Sequence, residues 1–226
     1  MPDYKPEECI YDKSYTCPVC EENFKAKQIR KGRAKFVSND DDLKPNYTPV
    51  NPDYYDVIIC DNCGYAAISS KFETISMSQQ EAVEKEITPN YIKKEYPNIY
   101  DADTAIERYM IALKNCEAKK SKAGEIAYIH LKLAWIYRDK KDRRSELENL
   151  KLAYEGFNTA FTTEKLPICG LDENTLLYIL AAIGIEIGQV GEGVRILSRL
   201  MVKKNLSSRF KDKIANLREK VRESLK

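Results

Sequence analysis

Two hydrophobic patterns divide the chain near residue 78. Before it, apolar positions form short β-branched runs such as Asp56-Val57-Ile58-Ile59, set among tyrosines, prolines and Asx clusters. Such runs predict short strands joined by turns. After it, apolar positions recur at helical spacing. From Asp101 that spacing predicts six helices, over 102–118, 122–139, 142–161, 173–188, 190–204 and 207–225. Their breaks lie at Ser121 to Gly124, Asp139 to Asp142, Leu166 to Gly170, Gly188 to Gly191, and Asn205. Turns this short force antiparallel neighbours, so the second part is a stack of helical hairpins. Between the two parts, Ser78 to Glu81 reads as a capping box and Thr88-Pro89 as a second helix start, each opening a short helix. The expected organisation is a β module over 1–77, linking helices over 78–100 and a helical domain over 101–226.

Two of the hairpins share an internal spacing. Leu133-Ala134, Tyr137, Glu146, Leu150 and Ala153 fall at the same offsets as Leu180-Ala181, Gly184, Gly193, Leu197 and Leu200. Ala105-Ile106, Tyr109 and Ala112-Leu113 repeat part of the pattern. These offsets resemble the tetratricopeptide repeat, where small residues let paired helices approach and large ones fill between them. Glu146 stands where a small residue is expected, and Gly184 where an aromatic is.

The chemistry-bearing motif is Cys17-Pro18-Val19-Cys20 with Cys60-Asp61-Asn62-Cys63-Gly64. A CxxC pair folds into a tight knuckle, and two facing knuckles close a tetrahedral four-sulfur site. The expected ligands are therefore Cys17, Cys20, Cys60 and Cys63, holding one structural Zn²⁺. Gly64 suits the positive-φ position that turns backbone N–H groups toward sulfur. The segment between the knuckles is expected to carry its own hairpin, Phe24 to Val37, turning at Lys31-Gly32. A redox dithiol is the competing reading, but that chemistry places CxxC at a helix N-terminus, whereas Cys20 leads into strand-like sequence. A catalytic zinc usually adds a histidine or carboxylate ligand, and the one histidine, His130, lies on a predicted helix. Cys116 and Cys169 read as buried thiols and Cys9 as a bystander near the site.

Composition adds limits more than functions. The 37 basic and 35 acidic residues leave a formal charge of +2, so no global field recruits nucleic acid or a membrane. Residues 1–78 carry ten basic and thirteen acidic residues, an acidic excess of three. The first residues lack the pattern of a signal peptide, and the longest apolar run, Leu176 to Ile187, is too short to span a bilayer. A soluble, cytoplasmic protein is therefore expected, and in a reducing compartment the two CxxC pairs read as metal ligands rather than disulfides.

The run Cys17-Pro18-Val19-Cys20, then Asp40-Asp41-Asp42, Asn51-Pro52-Asp53-Tyr54-Tyr55-Asp56-Val57 and Cys60-Asp61-Asn62-Cys63-Gly64-Tyr65-Ala66, with helical hairpins following, resembles a bacterial family, domain of unknown function 2225. The resemblance implies a mainly α protein: a small β zinc ribbon followed by antiparallel, tetratricopeptide-like hairpins. It assigns no activity. Glu21 departs from the glycine usual after a first knuckle, which predicts two knuckles that are not equivalent.

Three further features bear on function. Lys25, Lys27, Arg30, Lys31, Arg33 and Lys35 give six positive charges near Phe24 and Phe36, the footprint of a nucleic-acid contact. The bland reading is a solvated hairpin face. Asp40-Asp41-Asp42 reads as a solvated turn or an ion-pair partner for that basic hairpin, since strand neighbours alternate faces. In the helical domain, Tyr128, Leu131, Trp135 and Arg138 on one helix and Tyr178, Ile185 and Glu186 on another are expected to project into a concave face. An alternative for Trp135 is simple core packing. No nucleophile–base pair, phosphate loop or dinucleotide motif is visible. The expected function is a non-catalytic adaptor, stabilised by zinc and binding a protein partner through its helices. A nucleic-acid regulator using residues 25–35 is the alternative, and an enzyme ranks third.

Overall fold

The computed structural model describes residues 4–224. Among these residues, six strands form three separate antiparallel pairs. Strand β1 (Ile10–Thr16) pairs with β2 (Asn23–Ile29), β3 (Lys35–Asn39) with β4 (Pro45–Thr48), and β5 (Val57–Ile59) with β6 (Ala66–Ile68). The expected Phe24–Val37 hairpin does not form: β2 belongs to β1, in a register that sets Thr16 opposite Asn23. The reason is the first knuckle. Cys17 to Cys20 is itself the tight turn of the β1–β2 hairpin, so the Lys31-Gly32 turn only joins one pair to the next.

Seven helices follow among the described residues: α1 (Met77–Glu86), α2 (Ala102–Ala118), α3 (Ala123–Asp139), α4 (Arg143–Thr163), α5 (Glu173–Glu186), α6 (Val190–Met201) and α7 (Ser208–Ser224). Their starts follow from side-chain caps. Asp101, Asp142 and Asp172 accept hydrogen bonds from the backbone N–H of Thr104, Ser145 and Thr175, each worth about 1 kcal/mol. In the linking segment the capping box is Ser76 with Gln79, two residues earlier than the sequence reading placed it. Thr88 to Asn90 makes only a single 3-10 turn, with Pro89 in its first positions.

The short β5–β6 pair is buried on both faces, and this joins the two halves of the molecule. Ile58 and Ala67 face the cysteines together with Tyr15, Phe24, Tyr65 and Phe72. Val57, Ile59, Ala66 and Ile68 pack instead against Ala105, Tyr109, Ala112 and Cys116 of α2 and Ile129, Leu133 and Ile136 of α3. Burial on both faces explains why VII and AAI carry no polar alternation.

The matched positions of the two hairpins are equally buried: Ala134, Leu150 and Ala153 in α3–α4, Ala181, Leu197 and Leu200 in α5–α6. At Gly193 an added Cβ would stand 2.7 Å from the carbonyl of Ala181, so α5 and α6 touch backbone to backbone. The corresponding position in α4 is Glu146. It is buried too, and Arg138 Nε donates to it at 2.6 Å, so an ion pair fills what a small residue closes in the other hairpin. In α3–α4 the close approach moves along the helix to Gly156, where a Cβ would stand 2.8 Å from that of Ala127.

Candidate metal centre and the loop on the helical face

Each knuckle is built by the same backbone bonds. The N–H of Glu21 donates to Cys17 O at 3.0 Å and that of Gly64 to Cys60 O at 3.0 Å; the N–H of Cys17 donates to Glu22 O and that of Cys60 to Tyr65 O, at 3.0 and 2.8 Å. Both fifth positions take positive φ, +60° at Glu21 and +76° at Gly64. The knuckles are thus equivalent in backbone, contrary to the expectation from Glu21. They differ in surroundings: Glu21 is exposed, whereas a Cβ on Gly64 would stand 2.4 Å from the Tyr91 ring. Glycine is required only at the second.

The fold brings all four sulfurs together. Cys17, Cys20, Cys60 and Cys63 place their Sγ atoms within 4.8 Å of one another. The shortest separations cross between knuckles, 3.6 Å for Cys17–Cys63 and 3.6 Å for Cys20–Cys60. Four ligands at about 2.3 Å from a tetrahedral ion lie about 3.8 Å apart, so the cluster has the dimensions of a metal site. Cys17, Cys60 and Cys63 are buried and Cys20 is half-buried. Backbone N–H groups of Val19 and Cys20 point at Cys17 Sγ, and those of Asn62 and Cys63 at Cys60 Sγ.

Shared protons concentrate the negative charge on one sulfur. Hydrogen bonds from Cys17 and Cys63 lower the Cys60 pKa below the ordinary thiol range, while bonds within the cluster raise those of Cys17 and Cys63. Further ionisation at this spacing requires a cation. Neither knuckle opens a helix, so the fold withholds the helix N-terminus that activates a redox CxxC.

Three side chains from the following segments clamp the knuckles. Gln80 on α1 donates to Pro18 O at 2.9 Å, Thr88 to Cys63 O at 3.1 Å, and Asn115 on α2 to Gly64 O at 3.1 Å. Cys9 lies at the far end of β1, where its thiol donates to Lys5 O, and is not near the cluster. His130 is half-buried against Asn149 on the helical hairpin, and burial lowers its pKa.

The residues expected to line a concave face are brought together by the loop 40–43. Trp135 donates from Nε1 to Asp42 at 2.8 Å, and Arg138 binds Asp42 at 2.8 and 3.0 Å and Asp40 at 3.0 Å. The same guanidinium reaches Glu186 at 3.2 Å, and Lys220 on α7 binds Asp41 at 2.6 Å. Leu43 packs beside them on the helical core. Asp42 is 2% exposed and Asp40 half-buried while Asp41 stays exposed, so the triplet is a turn bound to the helices rather than a fully solvated one or a partner of the basic strand. Because it forms a turn, two of its carboxylates reach one guanidinium.

Leu131, Trp135 and Tyr178 are accordingly buried rather than open to a partner. Tyr128 and Ile185 are half-buried, while Arg138 and Glu186 keep partial exposure at the edge.

Sequence reasoning missed a second contact on the same helix face. Lys132 pairs with Asp53 at 2.8 Å and lies 4.6 Å from the Trp135 ring centroid. Burial works to lower the Lys132 pKa, but Asp53 and Tyr128 outweigh it and drive it above the usual lysine range. The signal was a lysine between leucines, in Leu131-Lys132-Leu133. Asp139, at the end of α3, accepts from Asn51 and Tyr54 and pairs with Lys44 at 2.7 Å.

The basic run does not form one patch. Lys25 and Lys27 share one face of β2, Arg30 stacks over Tyr11, Arg33 and Lys35 over Tyr4, and Lys31 is exposed at the turn.

Fold and site together define a four-cysteine β module joined through a shared core to antiparallel helical hairpins. The chain belongs to the family described as Uncharacterized protein conserved in bacteria (DUF2225), which matches residues 10–224. No curated protein and no solved structure matches it. No helix among the described residues is long and apolar enough to cross a membrane.

Proposed function

We propose that the protein is a non-catalytic scaffold in which one structural Zn²⁺, held by Cys17, Cys20, Cys60 and Cys63, fixes the β module against helices that bind a protein partner. The observation that carries the reading is the closure of the cluster: four sulfurs within 4.8 Å, most of them buried, with their knuckle carbonyls tied down by Gln80, Thr88 and Asn115. Four thiolates complete a tetrahedral shell and leave no open coordination position for a substrate. All-sulfur ligation favours zinc over hard cations, and reduced thiols at this spacing favour the cytoplasm.

The helical half supports the partner-binding part through its tetratricopeptide-like spacing, with Ala181 and Gly193 at a close helix crossing. Loop 40–43 covers the face formed by α3 and α5, so a partner uses the edge marked by Arg138 and Glu186, or displaces the loop. The nucleic-acid reading has weaker support, since Arg30, Arg33 and Lys35 are engaged with tyrosines. Crosslinking of tagged protein in its own cells tests the scaffold. A protein attached to α3 through α6 and insensitive to nuclease is expected; recovery of nuclease-sensitive nucleic acid alone overturns the reading.

A further inference from the structure

A cavity of about 330 Å³ lies where β2, the end of β5 and the segment after α1 meet α2. It is within the size range of small-molecule sites. Its lining carries five cations, Lys25, Lys27, Lys93, Lys94 and Arg108. Three are already paired: Lys27 with Asp12, Lys93 with Asp61, and Lys94 with Glu107. Lys25 and Arg108 have no carboxylate partner among the described residues.

Arg108 is the unusual member. It is 4% exposed, its guanidinium carbon lies 4.9 and 4.7 Å from the Tyr96 and Tyr100 ring centroids, and one N–H donates to Val57 O at 2.6 Å. Its Nε is buried with no hydrogen-bond partner. Buried charges are ordinarily paired, because removing an ion from water costs several kcal/mol. The two tyrosine faces offset part of that cost, and leave the positive charge itself uncompensated. The cluster is separate from the Arg138 network and contains none of the four cysteines, although Ile59 and Asp61 of its wall flank Cys60.

The geometry points to an anion-binding site here, taking a small phosphate-bearing ligand, with Arg108 at its floor and Lys25 at its rim. Two unpaired cations in one cavity match a dianion better than a monocarboxylate. The Tyr96 and Tyr100 rings, inclined at 67° to each other, hold the guanidinium from two sides and leave it placed for the paired hydrogen bonds that phosphate oxygens accept. Glu95, the remaining acid of the lining, has no ion-pair partner among the described residues and opposes an anion. Its removal should therefore act opposite in sign to removal of Lys25.

Isothermal titration of the full chain with inorganic pyrophosphate, at constant ionic strength in chloride, is the test. Wild type is expected to bind saturably at one site. Lys25→Gln, an exposed change, should weaken binding about threefold, the size of one exposed charge contact. Glu95→Gln should tighten it by a similar factor, and Arg108→Gln should abolish it. If Arg108→Gln does not fold, the opposite signs at Lys25 and Glu95 still decide. No saturable binding by wild type, or equal affinity in all variants, overturns the site. Binding of a single-stranded RNA oligomer without binding of pyrophosphate also overturns it, and assigns the lysines to a polymer.

Discussion

Arg138 and Asp42 meet end-on across ninety-six residues of sequence, with Nη1 to Oδ1 at 3.0 Å and Nη2 to Oδ2 at 2.8 Å. This two-bond geometry fixes orientation as well as distance. It sets the acidic loop of the β module on the helix that also carries Lys132 and Asp139, so one face of α3 holds three separate parts of that module.

Removing the cation should cost more than removing the anion. Arg138→Gln leaves the nearly inaccessible Asp42 without its counterion and Glu146 with Arg143 alone, and breaking such a buried pair costs about 3–5 kcal/mol. Asp42→Asn leaves Arg138 with Asp40, Glu146 and Glu186, and should cost about 1–2 kcal/mol. Urea unfolding of the two variants checks the order. Equal losses would show that the network is not centred on Arg138.

Trp135, the single tryptophan, reports whether the loop is seated. Asp42→Ala removes its hydrogen-bond acceptor and the carboxylate that anchors the turn. Its emission should shift to the red and become accessible to iodide, while metal content stays unchanged. An unshifted emission would mean that Asp40, Asp41 and Leu43 keep the loop in place without Asp42.

At the knuckles, the two positive-φ residues should respond oppositely. Gly64→Ala meets both a strained backbone and the Tyr91 ring, and should cost more than about 2 kcal/mol with loss of metal retention. Glu21→Gly relieves a left-handed non-glycine residue at an exposed site and should gain up to about 1 kcal/mol, reduced by the added freedom of the unfolded chain. Thermal unfolding of metal-loaded protein measures both.

Helix positions and the cysteine cluster were legible because each rests on local spacing. The predicted 102–118 helix coincides with α2, and the later ones differ by at most three residues at their ends, the predicted end at 225 lying outside the described residues. The strand pairing was not legible. Ile10 to Thr16 is polar at alternate positions on both sides, so nothing in it announced a partner for β2, and the Lys31-Gly32 turn looked like the stronger hairpin. The acidic triplet was misread for a related reason. A rule about alternating faces holds within a strand, whereas Asp41 and Asp42 lie in a turn whose exit, Leu43, has a φ of +69°. Its partners Trp135, Arg138 and Lys220 lie ninety or more residues away, beyond any local pattern.

Metal content should be about one zinc per chain by elemental analysis. Cys60→Ser should abolish retention and loosen the knuckles, read as rapid amide exchange over residues 10–72, because a three-thiolate shell is incomplete. Cys9→Ser, at the far end of β1, should retain the metal. Retention by Cys60→Ser would sink the four-sulfur assignment.

Stability should fall in two stages on acidification. Burial lowers the His130 pKa below 6.5 despite its bond to Asn149, so the unfolded chain binds this proton more readily. That contribution is complete above pH 6.5 and is lost as pH falls through the lower folded value. The second stage comes from carboxylates. Asp101 and Asp172 are held below 3.8 first by backbone N–H bonds from Thr104 and Thr175, and Asp142 first by the Ser145 hydroxyl. Burial works to raise Asp40, but bonds from Asn46 and Arg138 outweigh it and lower that group as well. These contributions are present above pH 3.8 and disappear below it, as each helix cap and the loop contact is protonated. Protons also displace metal from thiolates, so the measurement is a comparison of melting temperatures between wild type and His130→Gln, in which metal loss cancels. The variant should lack the first stage and keep the second. A wild-type profile that parallels His130→Gln from pH 7 to pH 5 would show that His130 titrates freely in the folded protein.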